Sequence, residues 1–549
     1  MGKHSFTRGA AILASASIIS RLLGVWYIIA LPRIIRDEGM GLLQMVRPFY
    51  NLAVILSIAG LPVALSKLVA EQAALGNTRG AVQVFKFTLA MLVLSGTVFT
   101  LLLGVGSKWF VENIVRDPLA YPPLLAVVPS VCLLAVVSAF RGFFQGMQYM
   151  TPTAVSQVVE QMSRVAAMII LGAMLMPRGV EYGAAGAAFG STVGAAAALI
   201  VMVFYYFRWR KKRPLTSGNI RRDARMPMAF VLRRLVAVSL PIVLGSILWP
   251  MMQMIDTSLV PLRMQAAGFS RDAVREAVGY FGMALSLMHF PNVFTHALSV
   301  TLVPAVAEAS ALHSYHQVQH RVNEAVRITV MLGLPASTGL LVLADKAAFL
   351  LFGYAEAGEP LKILALGTLP LGLFQVCSGI LQGLGLVVVP VRNLVVGAAV
   401  KFAVNYWLTG LPEVGIKGAA WGTVLSFAAA GLLNTAAVYR RVRVRPNWRE
   451  ALLKPGLVCL IMALGVAAAY DGLYSLFTLL AARDDWPWAQ INPTVFANGL
   501  AVIGAVCAGA GIYGLGLVGT GALHRRDVEM IPKIGGKLSR WLSRYGWVR

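Results

Sequence analysis

LPVALSKLVAE at residues 61–71 returns as LSVTLVPAVAE at residues 298–308. Leu61/Leu298, Val63/Val300, Leu65/Leu302, Val69/Val306, Ala70/Ala307 and Glu71/Glu308 agree at one offset, 237 residues. The same offset carries Pro123 onto Pro360 and Gln145-Gly146 onto Gln382-Gly383, within RGFFQG and SGILQG. Further on, GAAGAAFGS (183–191) matches GIKGAAWGT (415–423) at offset 232, so a few residues are deleted between. Each match is weak alone. Together, in order, they describe a duplicated unit.

The duplicated unit is apolar. Of the 549 residues, 58% are hydrophobic and 13% charged, and the mean hydropathy is +0.72. A soluble chain is about half apolar and about one quarter charged. An ordinary globular enzyme, a disordered chain and a disulfide scaffold are thereby excluded, leaving an all-α polytopic membrane protein. A membrane-crossing helix needs about 20 apolar residues. Such runs occur near 8–31, 43–65, 83–105, 122–141, 153–176, 182–207, 235–260, 277–303, 324–344, 361–381, 388–410, 415–439, 455–480 and 493–519. The expected fold is therefore fourteen transmembrane helices, two six-helix pseudo-symmetric lobes plus two C-terminal helices. The lobes span 1–234 and 235–450, the added pair 451–523, and a basic tail 524–549. Six spans per copy keep both copies in one orientation, which predicts a two-fold axis along the membrane normal and a site between the copies near the midplane.

The 48 Lys+Arg outnumber the 23 Asp+Glu. Basic loops on the cytoplasmic side set topology and touch anionic membrane lipid, a sufficient reading that makes nucleic acid an unneeded partner. Loop 208–234 sets Arg208, Arg210, Lys211, Lys212, Arg213, Arg221, Arg222, Arg225, Arg233 and Arg234 against Asp223 alone. Arg440, Arg441, Arg443, Arg445 and Arg449 fall on the same side, as does the tail. The opposite loops mix signs, as in Arg483-Asp484-Asp485, with Trp486 and Trp488 as interface anchors. Both termini are expected in the cytoplasm. Ile531, Ile534, Leu538, Trp541, Leu542 and Trp547 recur at helical spacing among bases and predict an amphipathic surface helix. Residues 1–8 are short and basic, and the following run passes into Pro32 and Arg33 without a small-residue cleavage site, so it reads as the first span. Cys132, Cys377, Cys459 and Cys507 are too scattered for a metal site or disulfide framework.

Charges at membrane depth cost about 2.5–3.5 kcal/mol on insertion scales and usually face a cavity or a partner. Arg21 sits well inside its span with no acid within one turn, and is expected to face a cavity. Glu160 and Arg164 are four residues apart, so they either neutralise each other or serve the cavity. Glu160, Gln253 and Asp256 are candidates for gating or ion coupling, with a structural partnership for Asp256 as the alternative. Arg47, Arg141 and Arg392 lie near expected span ends, where snorkelling to headgroups is the plain reading. Lys401 and Asn405 complete the set of candidate cavity residues. His289 and His296 share a helix face but have no third ligand, so no metal or cofactor is expected. Pro62, Pro129, Pro241, Pro291, Pro304, Pro335 and others lie in or beside spans, where such breaks are tolerated against protein or water. A cavity lined by Arg21, Arg164 and Lys401 is electropositive, and guanidinium forks match phosphate oxygens bidentately. The expected substrate is anionic, and a diphosphate fits.

SRLLGVWYIIALPRII (20–35), GLPVALSKLVAE (60–71), RGFFQGMQYMTPTAVSQVVEQ (141–161), YFGMALSLMHFPNVFTHALSVTLVPAVAEA (280–309) and GAAGAAFGS resemble the stage V sporulation protein B branch of the multidrug/oligosaccharidyl-lipid/polysaccharide (MOP) exporter superfamily, close to the MurJ-type lipid II flippases. The resemblance covers most of residues 1–440. It implies two six-helix lobes around a V-shaped cavity, and a substrate carried on undecaprenyl diphosphate. The last two helices would help form a groove for its lipid tail. Peptidoglycan synthesis machinery is an implied partner, and Na+ or H+ a possible coupling ion. The family's first-helix arginine, in its SR-x-x-G motif, falls on Arg21, and its second-helix arginine corresponds loosely to Arg47. Tyr27 stands where the flippases carry a further arginine, and Ser286 lies near the position of another.

Three functions compete. A lipid-linked oligosaccharide flippase would use Arg21, Arg47 and Arg164, with Lys401 and Asn405, for the diphosphate. A cation-coupled multidrug exporter needs acids without partners in a lobe cavity, where the first half offers mainly Glu160. A membrane glycan ligase would need a sizeable extracytoplasmic loop, and those here are short.

Overall fold

A computed structural model of the chain describes residues 3–212, 227–443, 452–481 and 493–521. Among them every regular element is helical. In hydrocarbon a helix satisfies its own backbone, which is why long apolar runs become helices. The order is α1 (Lys3–Ile58), α2 (Leu61–Ala74), α3 (Thr78–Phe110), α4 (Tyr121–Gly146), α5 (Thr151–Leu175), α6 (Val180–Lys212), α7 (Met228–Ala266), α8 (Arg271–His289), α9 (Asn292–Ala311), α10 (Tyr315–Val342), α11 (Ala344–Phe352), α12 (Gly358–Ala365), α13 (Thr368–Gly383), α14 (Val388–Leu408), α15 (Ile416–Val442), α16 (Lys454–Ala481) and α17 (Pro493–Gly519). The expected surface helix at 524–549, the Arg483 loop with its tryptophans, and residues 213–226 and 444–450 of the basic loops lie outside the described residues.

Among the described residues, eleven helical stretches are long and apolar enough to cross a membrane, and thirteen when each of two bent pairs counts as one span. The count is lower than the expected fourteen because the first of these candidates takes in two expected spans. Ser15–Ala74 counts as one candidate of 60 residues but is interrupted at Arg36 and again between Ile58 and Leu61; it amounts to about 90 Å of helix against a hydrocarbon core of about 30 Å, enough for two crossings. It covers the expected spans 8–31 and 43–65. In place of a loop, one residue turns the chain: Arg36, with φ of 62°. The expected span 277–303 is corrected. The helix stops at His289 and restarts at Asn292, around Pro291, because proline removes a helix hydrogen bond and crowds the preceding turn. The bent pairs are Met228–Leu240 with Gly245–Ala266, at 48°, and Ala355–Ala365 with Thr368–Gly383, at 49°.

The chain divides into two compact units, Met1–Gly279 and Tyr280–Arg549. In the first, α1 packs on α4, α5, α6 and α7, while α4 and α5 pack on α6. Phe85, Phe140, Phe143, Tyr206 and Trp209 fill its core, with Phe85 and Phe143 ring centroids 4.7 Å apart. In the second unit, α13 packs on α9 and α15, and α14 packs on α15. The added helices α16 and α17 pair with each other and sit on α10 and α11. Tyr513 donates to the Met331 carbonyl at 2.9 Å, and Tyr470 to Asn498 at 2.8 Å.

The sequence repeat is a repeat of contacts. A Cβ on Gly142 would meet the Pro62 carbonyl oxygen at 2.7 Å, and one on Gly146 the Ser66 carbonyl oxygen at 2.6 Å. Moved by 237 residues these become Gly379 on Ser299 at 2.5 Å and Gly383 on Val303 at 2.8 Å. Thus α4 lies on α2 as α13 lies on α9. Likewise Gly190 of α6 faces the Arg164 carbonyl as Gly422 of α15 faces that of Lys401. Close helix approach in membranes rests on such small residues.

Candidate functional site

α5 carries the first unit's charged cluster. Glu160 and Arg164 lie one turn apart, and Arg164 Nη2 donates to Glu160 Oε1 in a short ion pair. Arg141 of α4 reaches across and donates from Nη2 to Glu160 Oε2 at 2.8 Å and from Nε to Ser156 Oγ at 3.1 Å. The Glu160 side chain is 11% exposed, that of Arg141 19% and that of Arg164 25%. Each carboxylate oxygen therefore takes one guanidinium, and the cluster keeps one net positive charge. Glu160 stands about 14 Å of helix rise beyond the start of α5, well inside the span Thr151–Arg178. Arg141 is thus a partner of Glu160; the snorkelling expected for it does not occur.

Polar atoms around the cluster are unsatisfied. Arg164 Nε, Gln157 Oε1 and Ser20 Oγ are buried without hydrogen-bond partners. α1 and α5 are in register there: the Gln161 amide lies 3.5 Å from where Gly24 would carry a Cβ, and Ile35 meets Gly172 in the same way at 3.4 Å. Both pairs are 137 residues apart, a register that sets Ser20 level with Gln157 and Tyr27 level with Arg164. Arg21 follows Ser20 in α1, and its side chain lies outside the described residues.

The other expected residues are placed separately. Arg47 is exposed on α1. Gln253 of α7 is half-buried and accepts a hydrogen bond from Asn51 of α1 at 3.3 Å. Asp256, nearly one turn further along α7, is also half-buried. Lys401 and Asn405, in the second unit, are 4% and 0% exposed. They lie in the packing of α14 against Gly422 of α15, so an open lining position for them is corrected to a buried one. At offset 237 Lys401 stands for Arg164, Gly397 for Glu160, Asn393 for Ser156 and Ser378 for Arg141. The second unit's version of the cluster has no carboxylate: Asn393 donates to Asn434 Oδ1 at 2.8 Å, and Asn434 to Ser378 Oγ at 2.9 Å.

A second ionic group went unseen in sequence. Arg275 of α8 binds Asp117, which precedes α4, from Nε at 2.8 Å and Nη2 at 3.2 Å. Glu276 lies beside it, outside the candidate spans. Burial pushes its carboxyl above the usual range, as do the carboxylates of Asp37, Glu38 and Asp272, against the pull of Arg275. Elsewhere Phe49, Leu52, Phe99, Leu103, Trp109 and Met254 line an apolar cavity of about 380 Å³. Its hydrocarbon walls suit a lipid chain and not a charged head.

Comparison with known proteins follows this geometry. The profile of the family described as Polysaccharide biosynthesis protein matches residues 6–309, and that described as MatE matches 241–407. Stage V sporulation protein B of Bacillus subtilis (strain 168) is 31% identical over 462 residues, covering 82% of this chain and 87% of the relative. Lipid II flippase MurJ of the same organism is 25% identical over 459 residues, covering 79% and 82%. Among solved structures, an inward-facing multidrug resistance MATE family transporter of the MOP superfamily aligns with TM-score 0.63 at 14% identity, over 79% of this chain and 98% of that one. Lipid II flippase MurJ in an inward closed conformation aligns with TM-score 0.58 at 14% identity, over 92% and 98%. The chain is therefore a multi-pass membrane transporter of the MOP superfamily, belonging to the polysaccharide biosynthesis protein family with stage V sporulation protein B.

Proposed function

We propose that the protein is a flippase that moves an undecaprenyl-diphosphate-linked glycan, lipid II foremost, from the cytoplasmic to the outer leaflet by alternating access. The observation that carries this reading is the Arg141–Glu160–Arg164 cluster, net positive at membrane depth, with unsatisfied polar atoms beside it. Buried charges of this kind mark substrate pathways, and arginine forks suit phosphate oxygens. In this reading Arg164, Arg21 and Arg47 receive the diphosphate. The Asn51–Gln253 bond and Asp256 tie α7 to the gating motion, and Na+ or H+ resets the empty carrier. Lys401 and Asn405, being buried, serve the packing of α14 on α15 instead of the head group. Both termini are assigned to the cytoplasm, where the basic loops meet anionic lipid. A role in glycan export for the cell wall or the spore is part of this reading, supported by the likeness to proteins named stage V sporulation protein B and lipid II flippase MurJ.

The test is translocation of fluorescent lipid II in proteoliposomes holding the purified chain, with and without an ion gradient. Arg164→Ala is expected to slow it at least tenfold while inserting normally, and a wild-type rate would refute the assignment. The MatE match favours a second reading, a cation-coupled multidrug exporter. Against it, the cluster's carboxylate is held by two arginines, leaving a site that repels cations. Drug resistance conferred by overexpression would favour the exporter.

A further inference from the structure

We propose that Glu160 is a built-in counter-anion that occupies the phosphate position of the cluster in the empty carrier and is displaced by the arriving phosphate. The inference rests on the anionic-substrate reading above and adds the regulation of that site. Three observations carry it.

The first is the geometry. One carboxylate bridges two guanidinium groups from two helices, one oxygen to each. A phosphate with two free oxygens makes the same bridge. Glu160 is borne by α5 itself, one turn from Arg164, so rotation of its side chain releases Arg141 without moving a helix.

The second is the incomplete polar accounting. Arg164 Nε and Ser20 Oγ are buried donors with no partner; the atom left over on Gln157 is its Oε1, an acceptor, and does not count toward an anion. A carboxylate has only two oxygens, and both are already engaged. Phosphate offers further oxygens to the donors that Glu160 leaves over. Unpaired buried groups are expensive, and their concentration beside two arginines marks a place kept ready for a larger anion.

The third is the second copy of the same packing. There Gly397 replaces Glu160, Ser378 replaces Arg141 and Lys401 replaces Arg164, so one cation stands where the first copy has two, and Asn393, Asn434 and Ser378 close a network of neutral side chains. α14 still packs on α15 through Gly397, whose Cβ would meet the Ser426 carbonyl oxygen at 2.8 Å, as Gly194 meets that of Glu160 at 2.8 Å. The helix arrangement therefore does not require a carboxylate at this position. What requires it is the pair of arginines, which must be neutralised in part while no substrate is bound.

The test is binding of inorganic pyrophosphate to the full-length chain in nanodiscs of neutral lipid, measured by calorimetry at several salt concentrations. Glu160→Gln is expected to bind pyrophosphate at least tenfold more tightly than wild type, with a steeper salt dependence. Glu160→Gly, which copies the second repeat, is expected to do the same and serves if the glutamine variant does not fold. Glu160→Asp, which keeps the charge, should stay within about threefold of wild type. Arg164→Gln should weaken binding at least tenfold. If the neutral variants bind no tighter than wild type while Arg164→Gln still weakens binding, Glu160 is not a competitor of phosphate and the proposal is overturned. If Arg164→Gln leaves binding unchanged, or wild type and the neutral variants all fail to bind, the anion site itself falls and the flippase reading with it.

Discussion

Asp117→Asn should be among the most destabilising single-atom changes in the first unit. The Arg275 and Asp117 side chains are 5% and 3% exposed, and they meet through two hydrogen bonds of 2.8 and 3.2 Å. Asp117 Oδ1 also accepts from the Leu119 N–H at 3.1 Å, which caps the turn leading into α4. Removing one partner of a buried pair costs about 3–5 kcal/mol, since the other charge is left without compensation. Asp272 remains on Arg275 at 2.8 Å, but its side chain is 73% exposed. A partner so placed recovers at most about 1 kcal/mol. The net loss is therefore about 2–4 kcal/mol, or a fall in unfolding midpoint on the order of 3–7 °C for a unit of this size. Asp117→Leu with Arg275→Met removes both charges and should return to within about 1 kcal/mol of wild type. Thermal unfolding of the detergent-purified chain, followed by size-exclusion recovery, reads both. A single variant within about 2 °C of wild type, or a double variant no better than the single, would show that the pair is not the lock described.

Gly146→Ala and Gly383→Ala should both destabilise, by about 1–3 kcal/mol, because each new Cβ meets a backbone carbonyl at 2.6 or 2.8 Å; the same midpoint measurement checks them. Asn434→Leu leaves Asn393 Nδ2 and Ser378 Oγ without their partner and should cost about 1–3 kcal/mol, with little change in pyrophosphate binding. Glu276→Gln should stabilise at neutral pH by at most about 0.5 kcal/mol after solvent screening. Its raised carboxyl adds stability that is complete below the ordinary glutamate range and lost as pH rises through the raised value. The gain should fade as pH falls toward 4, the ordinary carboxylate range, in a series of melts.

The helices and the duplication were readable because both leave local marks: runs of about 20 apolar residues and small residues recurring at a fixed offset. The turn at Arg36 falls in the expected gap between 31 and 43, and Pro291 stands among the expected breaks, but how short each interruption is could not be read. Hydropathy averages over a whole turn of helix and does not register one residue of altered backbone. Arg141 misled because it stands one turn and a half from the end of α4, where an arginine reaching the headgroups is the ordinary case. Its true partner belongs to the next helix and becomes apparent only through the packing of α4 and α5. The repeat did hold a clue, since Arg141, Glu160 and Arg164 are the positions where the copies diverge to Ser378, Gly397 and Lys401. Arg275 and Asp117 are 158 residues apart, and no spacing rule links them.

The shared glycine contacts and the unshared polar residues divide inheritance inside one polypeptide. Gly142, Gly146, Gly379 and Gly383 fix where the backbones run, so mutation at those sites is tested on architecture. Positions 141, 156 and 160, and the counterparts 378 and 393, are free of that duty, and there the twin segments have specialised. A chimera joining two first halves would keep its helix seats yet hold two sets of paired arginines, and its appetite for anions, not its folding, is what would change.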